Sequence, residues 1–258
     1  MHPAFCSIYL THRGYVRSGN EDSILVSGRI VADISMKYPE RMEIPRLPVL
    51  FCVADGIGGT VHGEIASQTV LESFLRYFPV PGSAEEISGM IAHAKEVLDG
   101  MVLHDPSYTG FGTTVAGIIL YHDHAFVFNC GDSRVYLVDK GHIQRLSHDH
   151  SVVQELCDQG AITEEQVYTH PYRNIITASV SGDLHRPAPP VKVSCVPLND
   201  SAWFLLCTDG VWEVVHDEDL VTLCGSGDIE QAGADILAAC LAGGGPDNIS
   251  LILVGPCV

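Results

Sequence analysis

Short runs of apolar and β-branched residues recur along the chain, at 5–11, 23–27, 49–54, 113–120, 125–129, 135–138, 191–196, 203–207 and 249–254, and each reads as a β-strand. Segments 121–124 and 139–141 are short and polar or glycine-containing, and read as hairpin turns of antiparallel sheets. Between the strands the period changes. Over 61–78, Ala66, Val70, Phe74 and Phe78 recur every four positions beside Leu71 and Leu75, one apolar stripe of a helix. Further helices are expected near 84–99, 149–159 and 228–242. Residues 33–48 carry Pro39, Pro45 and Pro48 among mixed charges and read as a loop between two strands. Residues 160–190 lack periodicity and end in RPAPP, long for an idle loop, so they are functional or hold small elements. Antiparallel strands with segregated helices predict an α+β fold of two packed sheets flanked by helices, in a single domain over 1–258.

Composition supports a globular chain with a sizeable core: 46% of residues are hydrophobic and 18% charged. The 14 basic residues face 32 acidic ones, a formal charge of −18 that argues against nonspecific binding to nucleic acid or an anionic membrane. A chain this acidic needs local positive charge to act on a phosphorylated substrate, and divalent cations would supply it. The nine cysteines include no CxxC pair and read as scattered reduced thiols, with Cys52, Cys130 and Cys207 inside apolar runs. The N-terminal stretch has no basic region ahead of a long apolar one, and no apolar segment approaches the roughly 20 residues that span a bilayer. No signal peptide, no membrane insertion and a cytoplasmic location are expected.

Three acidic turns carry the chemistry: VADGIGG at 53–59, CTDGVW at 207–212 and GGPDNIS at 244–250. The first two end an apolar run with an Asp-Gly pair; the third sets Asp247 just before one. A strand end holds a side chain rigidly, and the glycine leaves room for a close approach to the backbone. Asp55, Asp209 and Asp247 presented in this way suit a hard cation such as magnesium or manganese. The alternative, hairpin turns, fits TDGVWEVV tolerably and ADGIGGTVHGE poorly, because a helical pattern follows the second. Upstream lies RGYVRSGNEDS at 13–23. Glu21 and Asp22 are adjacent, so on a strand only one of them faces a shared site directly. Arg17 is the natural phosphate binder, its planar fork matching phosphate oxygens.

In sequence order, RSGNEDS, VADGIGG, GTT, NCGDSRVY, LSHDHSVVQELCDQGAIT, THPYRNIIT, TDGVWE and GGPDNIS resemble the metal-dependent protein phosphatases, the PPM or protein phosphatase 2C-like family. The likeness runs from about residue 8 to 254 and is strongest to the compact bacterial type. It implies a four-layer αββα sandwich, with Asp55 bridging two Mn2+ or Mg2+ ions and the Gly56 carbonyl on one of them. Asp209 and Asp247 would hold the other, with Glu21 and Asp22 in the same centre directly or through water. Asp132 and Glu213 match the positions of a third, weaker ion, although glutamate at 213 replaces the aspartate of some members. Arg17 would hold the substrate phosphate.

The activity implied is hydrolysis of phosphoserine and phosphothreonine in proteins by metal-bound water, opposing a bacterial eukaryotic-like Ser/Thr kinase. Two ions activate a water and offset charge on the phosphoryl oxygens, so no side-chain nucleophile is required. Ile57 and Thr60 stand where many relatives carry a histidine. The leaving-group proton would come from His62, the nearest candidate, or from a metal-bound water; His148, His150 and His170 are more remote in sequence. The stretch 159–183 corresponds to the mobile flap of bacterial relatives and is expected to select substrates. Two other readings are a silent scaffold, disfavoured by the presence of all three aspartates, and a hydrolase of small phosphoesters.

Overall fold

The computed structural model describes residues 5–57, 62–77, 79–199, 201–225 and 228–257; Gly58, Gly59, Thr60 and Phe78 lie outside them. Two six-stranded antiparallel sheets form its centre. The first runs, edge to edge, through His142–Arg145, Arg134–Asp139, Trp203–Cys207, Ile249–Pro256, Phe5–His12 and Glu40–Ile44. The second runs through Lys192–Pro197, His124–Cys130, Val115–Leu120, Val49–Ala54, Ser23–Val26 and Arg29–Val31. Both expected hairpins are present: Leu120 pairs with Ala125, and Asp139 with His142.

Strand alternation divides the core in two. In Val49–Ala54, Phe51 and Val53 pack between the sheets, while Leu50, Cys52 and Ala54 face Ala66, Val70, Leu71 and Phe74 of helix Gly63–Arg76 and the apolar stripe of helix Ala84–His104. Helices Asp217–Cys224 and Ile229–Ala242 cover the outer face of the first sheet through Leu220, Cys224, Ile236 and Leu237. The result is the expected order of helices, sheet, sheet, helices. Helix starts follow local capping: the hydroxyls of Ser83 and Ser151 accept from the main-chain N–H of Glu86 and Gln154, and Thr163 forms a reciprocal box with Gln166.

Three expectations need correction. The segment 33–48 is not all loop: Glu40–Ile44 is an edge strand paired with Phe5–Tyr9, and its charged positions face solvent, which hid it in the sequence. Helix Asp217–Cys224 was unforeseen because only Leu220 and Cys224 of it are buried. Leu75 is 42% exposed, so the stripe on its helix is narrower than the sequence implied. Within 160–190 lie a short helix, Glu164–Val167, and a strand, Val180–Ser181. That strand completes a three-stranded sheet with Gly112–Thr113 and Gly56–Ile57 beside the acidic turns.

Candidate active site

The acidic turns meet at one end of the sandwich, where alternate strand ends collect. They surround a cavity of about 410 Å³ lined by Arg17, Glu21, Asp55, Gly56, Asp132 and Asp209, with Asp247, Thr114, Ile57, Asn174 and Ile176 completing the wall. Five of the nine sequence-predicted site residues reach it as carboxylates, and Arg17 and Gly56 line it too. Asp22 and Glu213 do not. The adjacent carboxylates split just ahead of strand Ser23–Val26: Glu21 faces the cavity, and Asp22, 1% exposed, turns inward to accept the Thr208 hydroxyl at 2.8 Å. Glu213 ends the one-turn helix Asp209–Trp212, its N–H donating to the Asp209 carbonyl at 2.9 Å, and its carboxylate stands 3.8 Å from the Arg173 guanidinium.

Main-chain packing explains why glycine follows two of the aspartates. A Cβ on Gly56 would strike the Gly63 carbonyl and lie 2.7 Å from that of Glu21; one on Gly210 would strike the Asn248 carbonyl. The close approach anticipated from the sequence is made by the chain itself. GTT clamps the first turn: Thr114 N–H donates to the Asp55 carbonyl at 2.9 Å, and the Thr113 hydroxyl donates to the same oxygen at 2.7 Å. Thr114 and Ser133 hydroxyls pair at 2.7 Å, tying GTT to the turn that carries Asp132. Asn248 spans the remaining gap. Its side-chain oxygen accepts Glu21 N–H at 2.8 Å, and its amide donates to the Arg13 and Gly19 carbonyls, each at 2.9 Å. Sequence reasoning had not singled out Thr113, Thr114 or Asn248, although each sits inside a quoted motif.

The electrostatics of the site are unbalanced. Glu21, Asp55, Asp132, Asp209 and Asp247 face one guanidinium, that of Arg17, whose Nη2 donates to Asp247 Oδ2 at 2.6 Å. Burial, then Asp209 and Asp22, holds the Asp55 carboxyl well above the usual carboxylate range. Burial, then Asp132 and Asp247, does the same to Asp209. Burial and its acidic neighbours push Asp22 and Asp132 up to about 7. Arg17 responds oppositely: burial opposes its charge, but Asp247, Asp209 and Asp55 together hold it above its ordinary value.

An excess of four negative charges in one cavity is the complement of two divalent cations, and oxygen donors are the set that Mg2+ or Mn2+ takes. Among the described residues, however, no group of three or more His, Cys, Asp or Glu side chains is arranged to hold an ion by itself. Asp247 is engaged with Arg17 and Asp22 with Thr208, and hard cations draw on main-chain oxygens and on water to complete their shells.

Among the described residues the histidines stand elsewhere. His62 caps helix Gly63–Arg76 in the left-handed conformation, with its ring 4.6 Å from that of Tyr108, and it does not line the cavity. His150 braces the turn carrying Asp132 from behind: its Nδ1 accepts Gly131 N–H at 3.1 Å and its own N–H donates to the Gly131 carbonyl at 2.9 Å. Of the expected flap, Asn174 and Ile176 reach the cavity wall. Among the described residues no helix is long and apolar enough to cross a membrane.

Residues 44–241 match the protein phosphatase 2C family. The chain is 28% identical over 244 residues to the serine/threonine protein phosphatase PstP of Mycobacterium tuberculosis, covering 93% of this chain and 43% of that protein, so it spans less than half of that relative's length. It is 32% identical over 251 residues to a putative protein phosphatase 2C-type protein of Streptococcus pyogenes, covering 95% of this chain and 94% of the other. A crystal structure of the catalytic domain of PstP with two manganese ions superposes with a TM-score of 0.79 at 25% identity, over 98% of each chain. With more than half its length matched and the streptococcal likeness running almost end to end, the chain belongs to the protein phosphatase 2C family.

Proposed function

We propose that this chain is one catalytic unit, a divalent-metal-dependent phosphatase of phosphoserine and phosphothreonine in proteins. The observation that carries the reading is the ring of five carboxylates around Arg17. Asp55, Asp209, Asp247 and the Gly56 carbonyl would hold two core ions, with Glu21 beside them, Asp22 behind through Thr208, and Asp132 with Glu213 serving a third. Bound there, Mn2+ or Mg2+ supplies positive charge for the phosphoryl oxygens and lowers the pKa of water in the cavity.

The chain's own residues do the rest. Arg17 binds and orients the phosphoryl group through its forked N–H donors, and Asp247 fixes that fork in place. The acidic wall tolerates a phosphate dianion only when cations are present, so binding of metal and of substrate are linked. Among the described residues neither a thiol nor a histidine lines the cavity, which favours water over a side chain as nucleophile and as source of the leaving-group proton. Asn174 and Ile176 bring the flap segment to the rim, where it would contact the residues beside the phosphorylated one. Substrates of this chemistry are made by a Ser/Thr kinase, which we place opposite this enzyme.

The test is phosphate release from a phosphothreonine peptide with manganese, with chelator, and in Asp209→Asn. Turnover that needs the metal and falls by orders of magnitude in the variant is expected. Full activity without metal would overturn the reading, and hydrolysis of p-nitrophenyl phosphate without any of the peptide would reassign it to small esters.

A further inference from the structure

Behind the cavity wall lies a buried polar network that the reaction does not use directly. Arg134, with its side chain 1% exposed, donates from Nε and Nη2 to Asp149 Oδ2 at 2.9 and 2.7 Å, and from Nη1 to the Tyr136 hydroxyl at 3.2 Å. Tyr136 in turn donates to Asp217 at 2.9 Å. The guanidinium carbon sits 3.7 Å from the centre of the Trp212 ring, a cation–π contact. Trp212 then reaches across the fold: its indole N–H donates to the main-chain carbonyl of Asp132 at 2.9 Å. Trp212 is also the residue before Glu213 and the last of the helix that Asp209 begins.

We propose that Trp212 is a positioning residue that holds the Asp132 carboxylate in the cavity wall for manganese. A large apolar side chain would fill the same space, and a buried ion pair such as Arg134–Asp149 adds little stability over well-packed hydrophobes. What only the indole supplies is a donor aimed at one peptide oxygen, braced on its face by Arg134 from the same turn as Asp132. The hydrogen bond fixes the Asp132 peptide plane, and with it the direction in which the carboxylate leaves the chain. Such outer supports commonly matter about 10- to 100-fold in metal affinity.

The proposal rests on the metal-dependent reading above and is tested by a double-mutant cycle with calorimetric manganese titration. The proteins are the wild type, Trp212→Phe, Asp132→Ala and the double variant. Trp212→Phe keeps a ring for Arg134 and deletes the donor. The binding step that Asp132→Ala weakens should weaken about 10-fold in Trp212→Phe, with the other steps little changed. In the Asp132→Ala background the Trp212 substitution should then add nothing. If the phenylalanine variant does not fold, Trp212→Met, a large side chain with no N–H or O–H donor, is read against the same outcomes. An unchanged titration, equal weakening of every step, or additive effects in the double variant would overturn the proposal and leave the phosphatase reading standing. A wild type that binds no manganese would overturn both.

Discussion

Arg17 and Asp247, separated by 230 positions in the chain, form a 2.6 Å ion pair at the mouth of the acidic cavity. The arginine side chain is 53% exposed and the aspartate 27%, so solvent screens the pair and it adds little to stability. Its value is directional. Arg17→Ala is expected to cost about 1.5–3 kcal/mol in kcat/KM for a phosphopeptide, roughly 10- to 100-fold, the worth of charged hydrogen bonds to phosphate. Arg17→Lys should recover only part of this, lacking the fork. Manganese affinity should hold or rise, since Asp247 is freed. Wild-type kinetics in Arg17→Ala would place the residue outside the reaction.

Gly210 offers a test of the turn itself. Because the Asn248 carbonyl occupies the place of a Cβ, Gly210→Ala must push the Asp209 and Asp247 turns apart. A loss of about 1–3 kcal/mol in stability is expected, the usual cost of overpacking, with a marked loss of metal-dependent turnover. Gly19→Ala, with nothing within 4 Å of the added carbon, is the control and should melt close to the wild type. Equal melting temperatures for the two variants would contradict the packing described.

The raised carboxyls make a prediction about pH. In the metal-free protein, burial first and neighbouring charge second lift Asp22 and Asp132 from the ordinary 3.8 to about 7. A carboxyl raised on folding stabilises the fold below its unfolded value and loses that contribution as pH climbs through the folded one. With chelator present, these groups should therefore lower the melting temperature progressively from about pH 4 to above pH 7. Asp132→Asn cannot ionise and should show a shallower decline. Manganese should reverse the trend, raising the melting temperature more at pH 7.5 than at pH 5, because binding displaces protons. A chelated wild type no steeper than Asp132→Asn would refute the assignment.

Much of the architecture was legible because the central strands are buried on both faces. Val49–Ala54 and Trp203–Cys207 are apolar at nearly every position, and the structure reproduces their bounds. Edge strand Glu40–Ile44 was not, since one covered face leaves only Met42 and Ile44 as a signal between charges. At the site, Asp55, Asp209 and Asp247 stood out because each adjoins a glycine or a strand end. The Arg134–Trp212 contact and the reach of Asn174 into the cavity join residues far apart in the chain, and no spacing rule encodes them. His62 showed the opposite failure: close in sequence to the first acidic turn, it is directed at Tyr108 by the helix it caps.

The pairing of Phe5 with Pro256 has a practical meaning for how the molecule can be held. The first and last strands among the described residues run side by side, and their outer ends lie away from the turns that carry Arg17 and Asp247, at the opposite pole of the sandwich. A tether fixed at either end would leave the acidic mouth facing outward. Two tethers, one at each end, would peel the neighbouring strands apart, opening the ladder one pair at a time from Phe5–Pro256 and reaching the catalytic turns beyond His12 and Ile249 last.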